Sequence, residues 1–229
     1  MITLGIECSS RQGSLALLKG GEVIGEKSWI AERVRHNTVF QTLENLMDEA
    51  ELSYSDICLY AVGRGPGSFS GMRMSFAIAQ ALALPEKKEV RAISSGAALA
   101  LQVARQAGMP AVQKIAVVGD ARRGQVWFGL FKVRQASSLS ENNLCIMNRL
   151  EACPALVEDW KLVPYDKVSV PEGTIVVSPE AERLGEIFPT IGNARFPHAK
   201  EVALLAQAGS EDLEPLYMHP PVFVEPKFS

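Results

Sequence analysis

The sequence predicts an α/β fold in which mixed β-sheets are flanked by helices. Three observations point that way. Residues 2–30 hold three short apolar or alternating runs separated by turns. Segments of helical period then alternate with short apolar runs, a β-β-β-α-β-α-β-α order that suits antiparallel strands followed by βα crossovers. A second strand–turn–strand unit begins after residue 110 and echoes the first.

Residues 2–7 read as a buried strand, Ser9–Gly13 as a turn and Ser14–Leu18 as a returning strand. Lys19-Gly20-Gly21 turns the chain into a more polar strand over Glu22–Ile30. The period then changes. Val39, Phe40, Leu43, Leu46, Met47 and Ala50 share one face of a helix over about 38–51, capped by Asn37 or Thr38. Ile57–Val62 is a short apolar strand, and it runs into Gly63-Arg64-Gly65-Pro66-Gly67-Ser68-Phe69-Ser70-Gly71. A helix over 70–84 follows, capped by Ser68 or Ser70 and closed by Pro85. Val90–Ile93 is a strand, and Ser94 or Ser95 caps a helix that runs to about Gln106 and stops at Gly108-Met109-Pro110.

In the second half, Lys114–Gly119 and Gln125–Lys132 read as strands around the turn Asp120–Gly124. Ile6-Glu7 followed by Arg11 and Gly13 parallels Gly119-Asp120 followed by Arg122 and Gly124: an acid ends a strand, Arg and Gly make the turn, and an apolar strand returns. Gln135–Asn143 is a polar loop, Pro154–Trp160 a short helix, Thr174–Ser178 a strand, and Pro179–Phe188 and Pro197–Ala208 helices. Pro215, Pro220, Pro221 and Pro226 make the tail extended, tied to the body by Leu216, Tyr217, Val222 and Phe223.

Composition excludes several classes. The chain is 47% hydrophobic and 21% charged with net charge −3, which fits an ordinary folded domain and not a lone nucleic-acid binder. Cys8, Cys58, Cys145 and Cys153 form no metal spacing and no CxxC pair, so they read as reduced thiols of a cytoplasmic protein. The start Met1–Glu7 lacks a basic region and a long apolar core, so no signal peptide is expected. The longest near-apolar run, Met72–Leu84, is too short and too interrupted to span a bilayer.

Candidate chemistry is sparse. None of His36, His198 and His219 pairs with another at helical metal spacing. Neither a G-x-S-x-G elbow nor a Walker loop is present, and no metal site or catalytic residue is expected. The glycine stretch leaves two readings open. It is an anion cradle at a helix N-terminus, or a turn between a buried strand and a buried helix. Glu7 and Asp120, each at a strand end before a turn, are either turn-capping carboxylates or groups that hold Mg²⁺ or orient water. The candidate anion or nucleotide contacts are Glu7, Ser9, Gly65, Gly67, Ser68 and Asp120. Arg64, Arg73, Arg122 and Arg123 are either solvated or face one cleft between the halves. The 70–84 helix is apolar or small nearly all round, so it asks for burial on more than one side, by this chain or by a partner.

Gly63–Arg73, Ile6-Glu7-Cys8-Ser9 and Asp120-Ala121-Arg122-Arg123-Gly124-Gln125-Val126-Trp127 together resemble the bacterial TsaB (YeaZ) family. The resemblance covers residues 1–130 well and the rest loosely, as far as Glu214-Pro215-Leu216-Tyr217. It implies an actin-like ATPase (ASKHA) fold of two RNase H-like halves, residues 1–110 with partner-binding helices and a smaller 111–229. It also implies a cytoplasmic, non-catalytic subunit of the complex that transfers threonylcarbamoyl to adenosine in tRNAs reading codons that start with A. The transfer chemistry would belong to TsaD, which carries an H-x-x-x-H absent here, and TsaE would be the second partner. ATP and Mg would be used by those partners, with no cofactor of this chain's own. tRNA would be met only through the complex, and the chain would form a homodimer when alone. The family's partner surface uses its first two helices, which map to 38–51 and 70–84 and so to Phe40, Leu43, Met47, Met72, Met74, Phe76, Ile78 and Leu82.

The chain departs from the family in carrying Glu7-Cys8-Ser9 where Asp-Thr-Ser is usual, and Ser70 where Thr is usual. The first change weakens the case for nucleotide chemistry. The alternative readings are an ATP-dependent small-molecule kinase or ATP hydrolase of the same fold, and a serine peptidase resting on Ser68 alone.

Overall fold

A computed structural model describes residues 1–30, 38–106, 112–135, 152–188 and 192–219. His36, Asn37, Gly108–Pro110, most of the polar stretch after Gln135, Cys145 and the tail beyond His219 lie outside them.

Two five-stranded sheets carry the fold. In the first, β1 (Ile2–Glu7), β2 (Gln12–Lys19) and β3 (Glu22–Ile30) form an antiparallel meander. Parallel strands β4 (Leu59–Gly63) and β5 (Glu89–Ile93) extend it beyond β1, giving the order β3-β2-β1-β4-β5. Between them run α1 (Thr38–Glu49), α2 (Phe69–Ala83) and, after β5, α3 (Ser95–Gln106). In the second sheet, β6 (Val112–Arg122) and β7 (Gln125–Gln135) make a long hairpin, while β10 (Ile175–Val177) lies parallel to β6. Two short strands, β8 (Ala152–Leu156) and β9 (Lys161–Pro164), share the far edge of β7. The second sheet thus repeats the first: β6, β7 and β10 stand where β1, β2 and β4 stand. These are mixed sheets flanked by helices.

Strands β1, β2 and β4 at the centre of the first sheet are buried on both faces, so their side chains alternate between two cores. Leu4, Ile6, Leu15, Leu17, Tyr60 and Val62 pack with Val39, Leu43, Leu46, Met47, Phe76 and Ile78 of α1 and α2. Ala16, Leu18, Leu59 and Ala61 point the other way, into a core shared with α3, the late helix α5 (Ala199–Ala208) and Ile115, Val117, Trp127 and Phe131 of the second sheet. The last helix of the described chain therefore covers the first sheet. Gly5 makes this possible, because a Cβ there would sit 2.3 Å from the Ala199 carbonyl oxygen.

The structure corrects several expected elements. Pro154–Trp160 is strand β8 followed by a bend, not a helix. The open edge of β7 offers a hydrogen-bond ladder, and an edge strand tolerates Pro154. Helix α4 keeps only Ala181–Leu184 of the expected 179–188, ending at Gly185. Strand β9 has no expected counterpart, being short and without an alternating pattern. Ser68 is the cap of α2, its Oγ accepting from the Gly71 N–H at 3.3 Å.

Candidate functional site

The glycine stretch is organised around a buried carboxylate. Glu7 ends β1 with its side chain fully buried. Its Oε1 accepts from the Ser9 N–H (2.5 Å) and its Oε2 from the Ser95 hydroxyl (2.7 Å). Ser95 Oγ in turn accepts from the Gly65 N–H (3.0 Å), and the Ser95 N–H donates to the Gly65 carbonyl (2.8 Å). Burial pushes the Glu7 carboxyl above its ordinary range, against the pull of these donors. The thiol of neighbouring Cys8 is pushed up to about 12 by burial, so it is no nucleophile at neutral pH.

The glycines answer to space. A Cβ at Gly63 would fall 1.7 Å from Glu7 Oε2, at Gly67 2.1 Å from the Ser9 carbonyl oxygen, and at Gly71 1.8 Å from the Cys8 carbonyl oxygen. The loop lies flat on the end of β1. Its amides are used in doing so: Ser68 N–H donates to Ser9 O (2.7 Å), Gly71 N–H to Ser68, and Gly65 N–H to Ser95. Those three amides, of Gly65, Ser68 and Gly71, already have partners within the chain.

Beside this hub lies a cleft of about 560 Å³. The β1–β2 turn (Ser9, Ser10, Arg11) and the start of α2 (Gly67, Ser68) form one wall, and the β6–β7 turn (Asp120, Ala121, Arg122) with Glu180 forms the other. Of the expected contact residues, Ser9, Gly67, Ser68 and Asp120 line the cleft, while Glu7 and Gly65 are buried behind it. Arg122 is on the same wall, but Arg64 is held by the chain itself, its Nε donating to the Glu214 carbonyl (2.9 Å).

Asp120 accepts from Arg122 N–H (2.8 Å), Tyr165 OH (3.0 Å), and the Arg122 and Arg183 guanidiniums (3.0 and 3.3 Å). Burial works to raise its pKa, but these partners hold it below the usual carboxylate value. Glu180 is the opposite case. Burial, with Asp120 nearby, raises it to about 7, and its Oε2 has no hydrogen-bond partner. Glu180, Tyr165 and Arg183 carry no sequence signal, because they reach the turn from two elements distant from it, the start of α4 and the turn after β9.

The second feature is a groove of about 270 Å³ between α1 and α2, lined by Phe40, Tyr54, Ala77, Ala81 and Leu82, with Glu44 at its rim. The expected docking residues divide here between interior and surface, with Leu43 and Ile78 among those lining the groove. Leu43, Met47, Met72, Phe76 and Ile78 are buried in the chain's own interior, with at most slight exposure at the groove floor, and Met74 is half-buried. Phe40 (52% exposed) and the half-buried Leu82 remain at the surface. Nor is α2 apolar on every side, for its outer stripe is Arg73, Ala77, Gln80, Ala81 and Leu84. The spacing of 73, 77, 80, 81 and 84 is the signal that separates this stripe from the buried face.

A family model described as TsaD: tRNA N6-adenosine threonylcarbamoyltransferase matches residues 29–159. The tRNA threonylcarbamoyladenosine biosynthesis protein TsaB of Bacillus subtilis (strain 168) is 28% identical over 134 residues, covering 58% of this chain and 56% of that protein. The protein of the same description from Escherichia coli (strain K12) is 30% identical over 132 residues, 58% of this chain and 55% of that one. These matches span about half the length of the curated relatives. The solved structure of YeaZ from Pseudomonas aeruginosa has the same fold, with a TM-score of 0.73 at 24% identity over 94% of this chain and 99% of that one. No helix among the described residues is long and apolar enough to cross a membrane. Taken with the paired sheets and the glycine loop seated on β1, these likenesses show that the chain belongs to the TsaD family of tRNA N6-adenosine threonylcarbamoyltransferase domains, and to the TsaB (YeaZ) group.

Proposed function

We propose that this chain is a binding subunit of the machinery that makes threonylcarbamoyladenosine in tRNA, and that it docks a TsaD protein on the α1–α2 groove. The observation that carries this reading is the groove itself. Phe40 and Tyr54 stand exposed beside the small residues Ala77 and Ala81, so a partner helix can approach the backbone of α2 closely while burying two aromatic rings. Leu84, 75% exposed, continues the patch past the end of α2. A second copy of the chain would use the same face when TsaD is absent. TsaE would join the pair, tRNA would be bound by the assembly, and ATP and Mg would be used by the partners.

The test is co-elution with a TsaD protein in size-exclusion chromatography, using Phe40→Asp and Ala81→Arg. Both positions face solvent, so the variants should fold normally and lose co-elution. Unmodified chain that does not co-elute, or variants that bind as well as it does, would overturn the reading.

A further inference from the structure

We propose that the acidic rim of the α1–α2 groove selects its occupant by charge: the groove takes a partner helix that carries Lys or Arg beside an apolar stripe, and it disfavours a second copy of this chain. The inference rests on the docking reading of the groove and adds the chemistry of the partner. Between Thr38 and Asp56 the chain carries five acidic residues, Glu44, Asp48, Glu49, Glu51 and Asp56, and no Lys or Arg. Glu49 is paired with Lys27 (2.6 Å), and Asp56 is held by the Ser53 N–H (2.8 Å) and hydroxyl (2.7 Å). Glu44 and Asp48 are exposed, and among the described residues neither has a cationic partner. They stand four residues apart on α1, so they share a face. Burial first, and then these two carboxylates, raise the pKa of Tyr54, which places both charges around its hydroxyl. Tyr54 lines the groove and Glu44 stands at its rim, so the negative strip borders the apolar floor. Asp48 also lies near the end of α1, where the helix dipole disfavours negative charge, and the last turn holds no basic residue to offset it. The free chain thus keeps two like charges together at a helix end, and a cation from outside relieves them.

The opposite wall supplies little answering charge. On the exposed stripe of α2, Ala77, Gln80, Ala81 and Leu84 are uncharged, and Arg73 lies over the Phe69 ring, 5.2 Å from its centroid. In a two-fold pair each copy offers the other the same surface, so Glu44 and Asp48 are doubled while only Arg73 comes against them. A partner helix with cations at i and i+4 meets both carboxylates at once while its apolar stripe covers Phe40 and Ala81. Rim charges of this kind act chiefly on the rate of encounter and the choice of partner.

The test follows association of the full chain with a TsaD protein by surface plasmon resonance, and self-association by sedimentation velocity, at about 50 and about 500 mM NaCl, between which the Debye length falls about three-fold. High salt should slow association of the unmodified chain with TsaD and strengthen its self-association. The Glu44→Lys/Asp48→Lys variant should melt no lower than the parent, since its new charges suit the helix end. It should associate with TsaD about ten-fold more slowly at low salt, and within about two-fold of the parent at high salt. Parental association rates in this variant, or self-association of the parent that is unchanged or weaker at high salt, would overturn the inference. Should the variant not fold, the two salt responses of the parent decide alone. Loss of TsaD binding by Phe40→Asp, with parental rates in Glu44→Lys/Asp48→Lys, removes the charge selection and leaves the docking reading standing, whereas retained binding by Phe40→Asp removes both.

Discussion

Replacing Gly71 by alanine tests whether the glycine loop is a packing device or a ligand cradle. Gly71 lies in the first turn of α2, where helix propensity alone favours alanine by about 1 kcal/mol. The structure reverses the sign. An added Cβ lands 1.8 Å from the Cys8 carbonyl oxygen, and ordinary contact begins at 3.4 Å, so α2 and β1 must part by about 1.6 Å. That displacement opens the core in which Phe76, Ile78 and Ala79 pack against Ile6 and Val62. Overpacking of this kind costs roughly 3 kcal/mol. After the propensity gain the net loss is about 2 kcal/mol, a fall of roughly 4–8 °C in thermal midpoint for a chain of this size. The assay is thermal or urea unfolding beside Gly209→Ala, where nothing lies within 4 Å of the added Cβ and stability should hold within about 0.5 kcal/mol. A Gly71→Ala protein as stable as the unmodified chain, or more stable, would refute the packing account.

Glu180 should make the chain less stable as pH rises. Its folded-state pKa of about 7 stands above the ordinary 4.5, so between those values the folded chain holds a proton that the unfolded chain has released. Glu180→Gln should therefore gain roughly 2 kcal/mol over the unmodified protein at pH 8 and close to nothing at pH 4.5, read from urea unfolding at both pH values. Asp120 has the opposite sign. Its depressed pKa contributes stability that is present above about pH 4 and is lost on further acidification, so Asp120→Asn should cost about 1–2 kcal/mol at pH 7 in the same assay. Phe76→Asp should unfold the chain, losing more than about 4 kcal/mol by burying an unpaired charge, whereas Ala81→Arg should leave the circular-dichroism melt within about 0.5 kcal/mol of the parent.

Much of the architecture was legible from local pattern. The meander of β1–β3, helices α1 to α3 and the β6–β7 hairpin follow from period-2 and period-3.6 spacing with turn residues between them. The echo between Glu7–Gly13 and Asp120–Gly124 corresponds to two hairpins in equivalent places of the two sheets. The failures fall where tertiary contacts outrank local preference. Residues 152–156 became a strand because β7 had an unpaired edge to offer. Spacing placed Leu43, Met47 and Phe76 on apolar helix faces, but that those faces close on the sheet and on each other was decided by how α1 and α2 lie on it.

The sequence by itself determined that Gly63–Gly71 is a tight loop leading into a capped helix, because only glycine density and Ser68 are needed to read that. What the loop is for was decided by tertiary structure alone. Its glycines meet the Glu7 side chain and the carbonyl oxygens of Cys8 and Ser9, more than fifty residues away in sequence, and the Ser68 amide donates to the Ser9 carbonyl. The same holds for the cleft. Asp120, Glu180 and Tyr217 converge from three separate elements, and no pattern within one segment carries a distance to another.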